Sequence, residues 1–279
     1  MTIVLTRDPH EFAARAGEFI AGRVECNMLG TVLANVLDGF HVGAENLFAY
    51  VCDDADQVRA AALRTPPWRL LTSELEAREA GELIRAWLHQ DPQVDGVTAP
   101  PCTARAICAA WAAQTGGSTE CRIREAMHEL EQVRDPPRPA RGRLRLADES
   151  ELDRLVDWMQ AFVQEAGLVA GDQARAIVEM RIAHQRMLVW DHDGPVSMVG
   201  TAPQVAGVVR IGPVYTPPQH RRQGYAGSAV AVTSRQALKH GARRCVLFTD
   251  LANPTSNKIY AEVGYRRFAD WEEHAFSLG

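Results

Sequence analysis

The stretch "VYTPPQHRRQGYAGSAV" runs from Val214 to Val230. It begins as an apolar β-type run and stops at Pro217-Pro218. It then sets Arg221 beside Arg222 and opens a helix of small residues at Gly224. The first turn of a helix carries N–H groups without intrahelical partners and the positive end of the helix dipole. Such a turn binds anions wherever a ligand can approach the backbone. Gly224, Ala226 and Gly227 put little or no side chain in the way, and the two arginines add charge. Pro217 and Pro218 end the strand ladder and stiffen its exit. The combination suits a pyrophosphate. An ordinary β–α loop with surface arginines has the same composition, so the residues alone leave both readings open. The run is neither a G-x-x-x-x-G-K-[ST] P-loop nor a G-x-G-x-x-G dinucleotide fingerprint.

Working outward, the flanking sequence alternates between the two hydrophobic periods. "VAGVVRIGPVYT" before the run reads as a strand, and "GYAGSAVAVTSRQALKHG" within and after it as a helix that Gly241 ends. "RRCVLFTD" is a buried strand, "PTSNKIYAEVG" a short helix and "YRRFADWEEHAFSL" a final strand. Upstream, "GRLRLADES" alternates as a strand. "DESELDRLVDWMQAFVQEAG" has a helical apolar stripe, with Asp148 or Ser150 as its cap and Gly167 as its stop. "DQARAIVEMRIAHQ" is a second helix. "RMLVWDHDGPVSMVGTA" is a hairpin turning at Asp191–Gly194. The predicted order is β-α-α-β-β-β-α-β-α-β, an α/β fold on a mixed sheet.

"RDPPRPARGR" (Arg134–Arg143) precedes this unit. Its three prolines in four positions fit neither a helix nor a central strand. We therefore expect domains at 1–133 and 142–279 joined by a linker at 134–141. The first domain runs through a comparable series. "DPHEFAARAGEFIAGR", "NMLGTVLANVLDG", "AREAGELIRAWLHQ" and "CTARAICAAWAAQTG" read as helices. "NLFAYVCDD", "VRAAALRTPPWRLLTSEL", "VDGVTAPP" and "TECRIREAMHEL" read as strands. The similar order points to a divergent duplication.

Composition narrows the function. With 279 residues, 46% hydrophobic and 23% charged, the chain has the makeup of an ordinary globular protein long enough for two domains. A net charge of −5 gives no basis for binding nucleic acid or an anionic membrane surface. No apolar stretch reaches the length of a membrane span. "MTIVLTRDPHEF" lacks the basic and apolar regions of a secretory leader, so a cytoplasmic protein is expected. The six cysteines include no C-x-x-C, and no histidine stands at metal spacing from them. Reduced thiols and no bound metal are expected.

Two motifs together resemble the GNAT acetyltransferase superfamily. Its signature [QR]-x-x-G-x-[GA], three residues after a proline at a strand-to-helix junction, is matched by Pro218 and then Arg221-Arg222-Gln223-Gly224-Tyr225-Ala226. Its second pattern sets Asn before a helix, Tyr seven residues on, and then Gly-[FY]. Asn253, Tyr260, Gly264 and Tyr265 match it within "NPTSNKIYAEVGYRRF". The resemblance covers residues 142–279. At the corresponding turn of the first domain, "PPCTARAICAAWAAQTGG" lacks the signature, which implies a degenerate repeat that no longer binds the cofactor.

The resemblance implies an acyl-CoA-dependent N-acyltransferase. It would move acetyl from acetyl-CoA to a primary amine of a small or amino-acid-like acceptor. A protein N-terminal or lysine acetyltransferase and a non-catalytic CoA-binding regulatory module are the alternatives. In this family the backbone of Val214, Tyr215 and Thr216 would pair with the pantetheine arm, and an amide near Val214 would polarise the thioester. The amides of Arg222 to Gly227, with Arg221, would hold the pyrophosphate. Asn253 would contact the arm, and Tyr260 would protonate the leaving thiolate. The base is less defined. The position where many members carry Glu is Phe248, and the preceding strand offers only Arg210. Asp250 is the nearest carboxylate, equally suited to capping the "LANPTS" turn. Glu165, His184 and His220 are weaker choices, and a water chain could serve.

Overall fold

The order β-α-α-β-β-β-α-β-α-β occurs twice in the computed structural model, which describes residues 1–40, 43–168 and 173–278. By contacts the chain divides into one unit of residues 1–126 with 269–279 and a second of residues 127–268. Both are α/β units on mixed sheets, as the sequence predicts.

The first unit holds β1 (Thr2–Thr6), α1 (Pro9–Ala21), α2 (Asn27–Leu37), β2 (Leu47–Cys52), β3 (Val58–Arg64), β4 (Leu70–Thr72), α3 (Ala77–Gln90), β5 (Gly96–Ala99) and α4 (Pro101–Thr115). It also takes most of β6 (Ser118–Leu130) and of β12 (Arg266–Ser277). Its strand order is β1-β2-β3-β4-β5-β12-β6. β4 and β5 run parallel, while β5 and β12 pair antiparallel from Glu272↔Ala99 to Ala275↔Gly96. β1 is absent from the sequence reading. It pairs with β2 from Thr2↔Cys52 to Thr6↔Phe48 and ends where Asp8 caps α1. All six residues of β2 are buried because helices cover both faces. Leu47, Ala49 and Val51 pack with Leu83 and Trp87 of α3 and Ile107 and Trp111 of α4. The ring of Phe48 lies 5.2 Å from that of Phe12 on α1.

The second unit holds β7 (Arg143–Leu146), α5 (Leu152–Ala166), α6 (Ala174–Ala183), β8 (Met187–Asp191), β9 (Pro195–Thr201), β10 (Val208–Tyr215), α7 (Tyr225–Lys239), β11 (Arg244–Asp250) and α8 (Pro254–Val263). Its order is β6-β11-β10-β9-β8-β7. The predicted start of α6 at Asp172 lies outside the described residues. Gly167 ends α5 in the left-handed conformation at φ 66°, where a residue without Cβ is favoured. α7 and α8 cover one face over Val199, Val209, Ile211, Cys245 and Leu247.

Residues 134–141 lie within this second unit and are fixed to it. Arg134 N donates to Val263 O at 2.7 Å, Ala140 N to Ser228 Oγ at 2.8 Å, and Trp190 Nε1 to Arg141 O at 2.8 Å. The Pro/Arg segment therefore packs on α7 and α8 as an ordered strap.

Candidate active site

β10 and β11 pair in parallel only from Val208↔Arg244 to Arg210↔Val246. Both strands continue beyond, through Tyr215 and Asp250. On its other edge β10 pairs antiparallel with β9, and the register shifts between Ile211 and Val214. Gly212 and Pro213 occupy this bulge. Gly212 has φ 143°, and Pro213 has no N–H, so Val214 carries the next backbone donor. The two strands thus open into a cleft whose edges can pair with an extended ligand.

Arg181 of α6 supports the bulge from below. Its Nη1 donates to Thr201 O and Gly212 O, each at 2.9 Å. A Cβ at Gly200 would lie 2.4 Å from that nitrogen, so the glycine makes room for it. Burial, and then the charges of Arg210 and Arg186, lower the Arg181 pKa to about 9. Sequence reasoning missed Arg181 because the bulge carbonyl it serves leaves no local signal.

After Thr216 the chain makes a 3₁₀ turn at Pro218–His220. Arg221 then folds back. Its Nε donates to Thr216 O at 2.9 Å, and its Nη2 pairs with Glu165 at 2.7 Å. Glu165 also accepts from the Tyr215 hydroxyl at 2.9 Å. Arg221 is therefore spent on shaping the loop. Arg222 is exposed and holds a left-handed φ of 65°.

Gly224 is the N-cap of α7, with φ 82° and no side-chain cap. The first bond along this helix runs from Ser228 N to Gly224 O. The amides of Tyr225, Ala226 and Gly227 precede it and face the helix entrance. No acidic residue stands in this turn. The Tyr225 hydroxyl donates to Gln223 Oε1 at 3.0 Å and lies 2.6 Å from His192 Nδ1. With the phenol proton on Gln223, His192 Nδ1 is the donor of the second bond. This post ties the loop to the β8–β9 turn beside a cavity of about 360 Å³ lined by Arg154, Trp158, His192, Gln219 and His220.

The structure changes the reading of Gly224 itself. A Cβ there would meet Arg138 O at 2.8 Å, so the strap, and not open ligand space, lies in that direction. The glycine is required by its positive φ and by the strap carbonyl.

On the β11 side, Asp250 accepts from Ala252 N at 2.8 Å through Oδ1. Its carbonyl accepts from Asn253 N and Asn257 Nδ2. Asn253 caps α8, its Oδ1 accepting from Ser256 N at 3.1 Å. Tyr260 is buried, with its ring 6.1 Å from that of Tyr265 in an edge contact. Burial pushes its phenol up to about 12, so it keeps its proton at neutral pH. Tyr260 and Val214 border the same apolar cluster. His184 is exposed, with Nδ1 2.8 Å from Met180 O of its own helix.

The model of the Acetyltransferase (GNAT) family matches residues 148–265. No curated protein matches the chain. Among solved structures, a GNAT-family acetyltransferase from Colwellia psychrerythraea aligns over 100% of both chains, with TM-score 0.61 and 11% identity. A GCN5-related N-acetyltransferase from Sphaerobacter thermophilus aligns over 98% of this chain and 95% of its own, with TM-score 0.57 and 15% identity. A tandem GNAT protein from the clavulanic acid biosynthesis pathway, without AcCoA, aligns over 99% and 98%, with TM-score 0.58 and 11% identity. At such identities these likenesses concern the fold alone. Over residues 148–265, which include the signature residues Arg221–Ala226, the chain is similar to the Acetyltransferase (GNAT) family.

Proposed function

We propose that the chain is an acyl-CoA-dependent N-acyltransferase that moves acetyl from acetyl-CoA to a primary amine of a small or amino-acid-like acceptor. The observation that carries this reading is the opening of β10 from β11 beyond Arg210, directly before the uncapped amides of α7. An extended arm and a doubly charged phosphate group fit these two features in that order. Acetyl-CoA, when bound, supplies the activated thioester.

In this reading Val214, Tyr215 and Thr216 pair with the arm through their backbone, and the Val214 amide polarises the acyl carbonyl. The amides from Arg222 through Gln223, Gly224, Tyr225 and Ala226 to Gly227 hold the pyrophosphate, with Arg221 keeping the loop in shape. Asn253 borders the arm at the head of α8. Tyr260 donates its proton to the departing sulfur. Asp250, at the end of β11, takes the proton of the attacking amine, directly or through water. We further propose that the second unit, residues 127–268 with the strap at 134–141, is the catalytic domain, and that the first unit, residues 1–126 with 269–279, is a degenerate copy that binds no CoA. Six free cysteines support a cytoplasmic setting.

The turn contacts of Asp250 favour a second reading, a CoA-binding regulatory module without transfer activity. Release of free CoA thiol from acetyl-CoA, followed against a panel of small amines, amino acids and peptides, separates the two. Amine-dependent release is the expected outcome. CoA binding with no release on any amine would overturn the enzyme and leave the module.

A further inference from the structure

Three donor groups from two strands converge in the first unit. Cys121 of β6 and Glu272 and His274 of β12 each offer one ligand atom, and the three atoms lie within 4.8 Å of one another. Glu272 and His274 stand two apart on a strand and so share a face. Both are buried, at 7% and 8% exposure, while Cys121 is half-buried and gives the cluster access to solvent. Their strand is rigidly held. Glu272 and His274 pair with Ala99 and Val97 of β5, and Arg69 Nη1 donates to His274 O at 2.9 Å.

The donor set is selective. A thiolate with an imidazole and a carboxylate suits zinc and is foreign to magnesium or calcium, which take oxygen ligands. His274 Nε2 lies 3.0 Å from Glu272 Oε2. Two ligands about 2.0–2.1 Å from a tetrahedral zinc stand about 3.3 Å apart, so the ion would replace the proton now between them with little movement. Arg105 Nη1 donates to both oxygens of Glu272, to Oε1 at 3.2 Å and to Oε2 at 3.4 Å, and Arg124 Nε approaches Oε1 at 3.7 Å. Outer-shell donors of this kind orient ligating carboxylates. The two arginines do not bar a cation. Thiolate and carboxylate together cancel the ion's two charges, and the arginine side chains are 58% and 69% exposed, solvated by water.

We propose that Cys121, Glu272 and His274 form a zinc site of three protein ligands with a fourth position open to water. Cys121 stands 151 positions before Glu272, so no local ligand spacing could reveal the set.

Cobalt titration of the full chain tests the site, since a thiolate–cobalt bond gives a charge-transfer band in the near ultraviolet. One equivalent of Co²⁺ should develop the band and Zn²⁺ should displace it. Cys121→Ser should abolish it, and His274→Gln should weaken binding at least tenfold. A second measurement needs no variant. Zn²⁺ should slow alkylation of Cys121 in the unaltered chain, read by peptide mass mapping with the exposed Cys102 as reference. Cobalt binding without the band, a band that survives Cys121→Ser, or alkylation of Cys121 at the same rate with and without zinc would each overturn the site.

Discussion

Tyr260→Phe should lower kcat about a hundredfold and leave the KM for acetyl-CoA nearly unchanged. The substitution keeps the ring and its edge contact with Tyr265 while deleting the proton. General acid catalysis typically contributes about a hundredfold or more, and a donor that acts only as the sulfur departs affects kcat without affecting binding. The raised phenol pKa adds a signature. The active form is the protonated one, and burial moves its loss up to about 12. Rates in the unaltered protein should therefore show no falling limb from this residue across the ordinary working range. Steady-state kinetics with kcat within about twofold of the parent, where chemistry limits the rate, would make Tyr260 a packing residue only.

The second large effect is expected at Gly224. Gly224→Val sets a β-branched residue at φ 82° and drives its Cβ toward Arg138 O, which would stand 2.8 Å away. Left-handed backbone costs a side-chain-bearing residue about 1–2 kcal/mol, more when branched, and the strap must shift as well. A loss of about 2–4 kcal/mol follows, read as a fall in Tm of about 5 °C or more. Displacement of the strap should also speed hydrogen exchange at the Ala140 amide, now bonded to Ser228 Oγ. Weaker CoA binding would follow from a displaced helix entrance. An unchanged Tm with unchanged exchange at Ala140 would contradict the strap's part in holding this turn.

Much of the second unit is written in short-range signals. The apolar strand before Pro217, the small residues from Gly224 and the stop at Gly241 are each local, and the helices and strands form where those signals stand. What escapes the sequence depends on partners far along the chain. β1 is five residues long, too short for a decisive period, and its partner begins 41 positions after it ends. Arg221 reads as free charge because Glu165 is 56 residues upstream. Arg181 carries no local signal within its helix, yet it holds two main-chain carbonyls. The Pro/Arg run reads as a boundary, since prolines exclude regular structure. The same prolines leave an extended strap that can lie across glycines of α7 and α8. Gly224 is conspicuous for the right residue type and the wrong neighbour: the close approach is by the chain's own carbonyl.

Calorimetric titration of the full chain with CoA tests most directly the claim that one cofactor site lies where β10 gives way to α7. Saturable binding at one CoA per chain is expected, because the first unit's turn at Cys102 to Arg105 lacks the signature that opens α7. A stoichiometry near two would contradict the degenerate copy, and no binding at all would contradict the site itself.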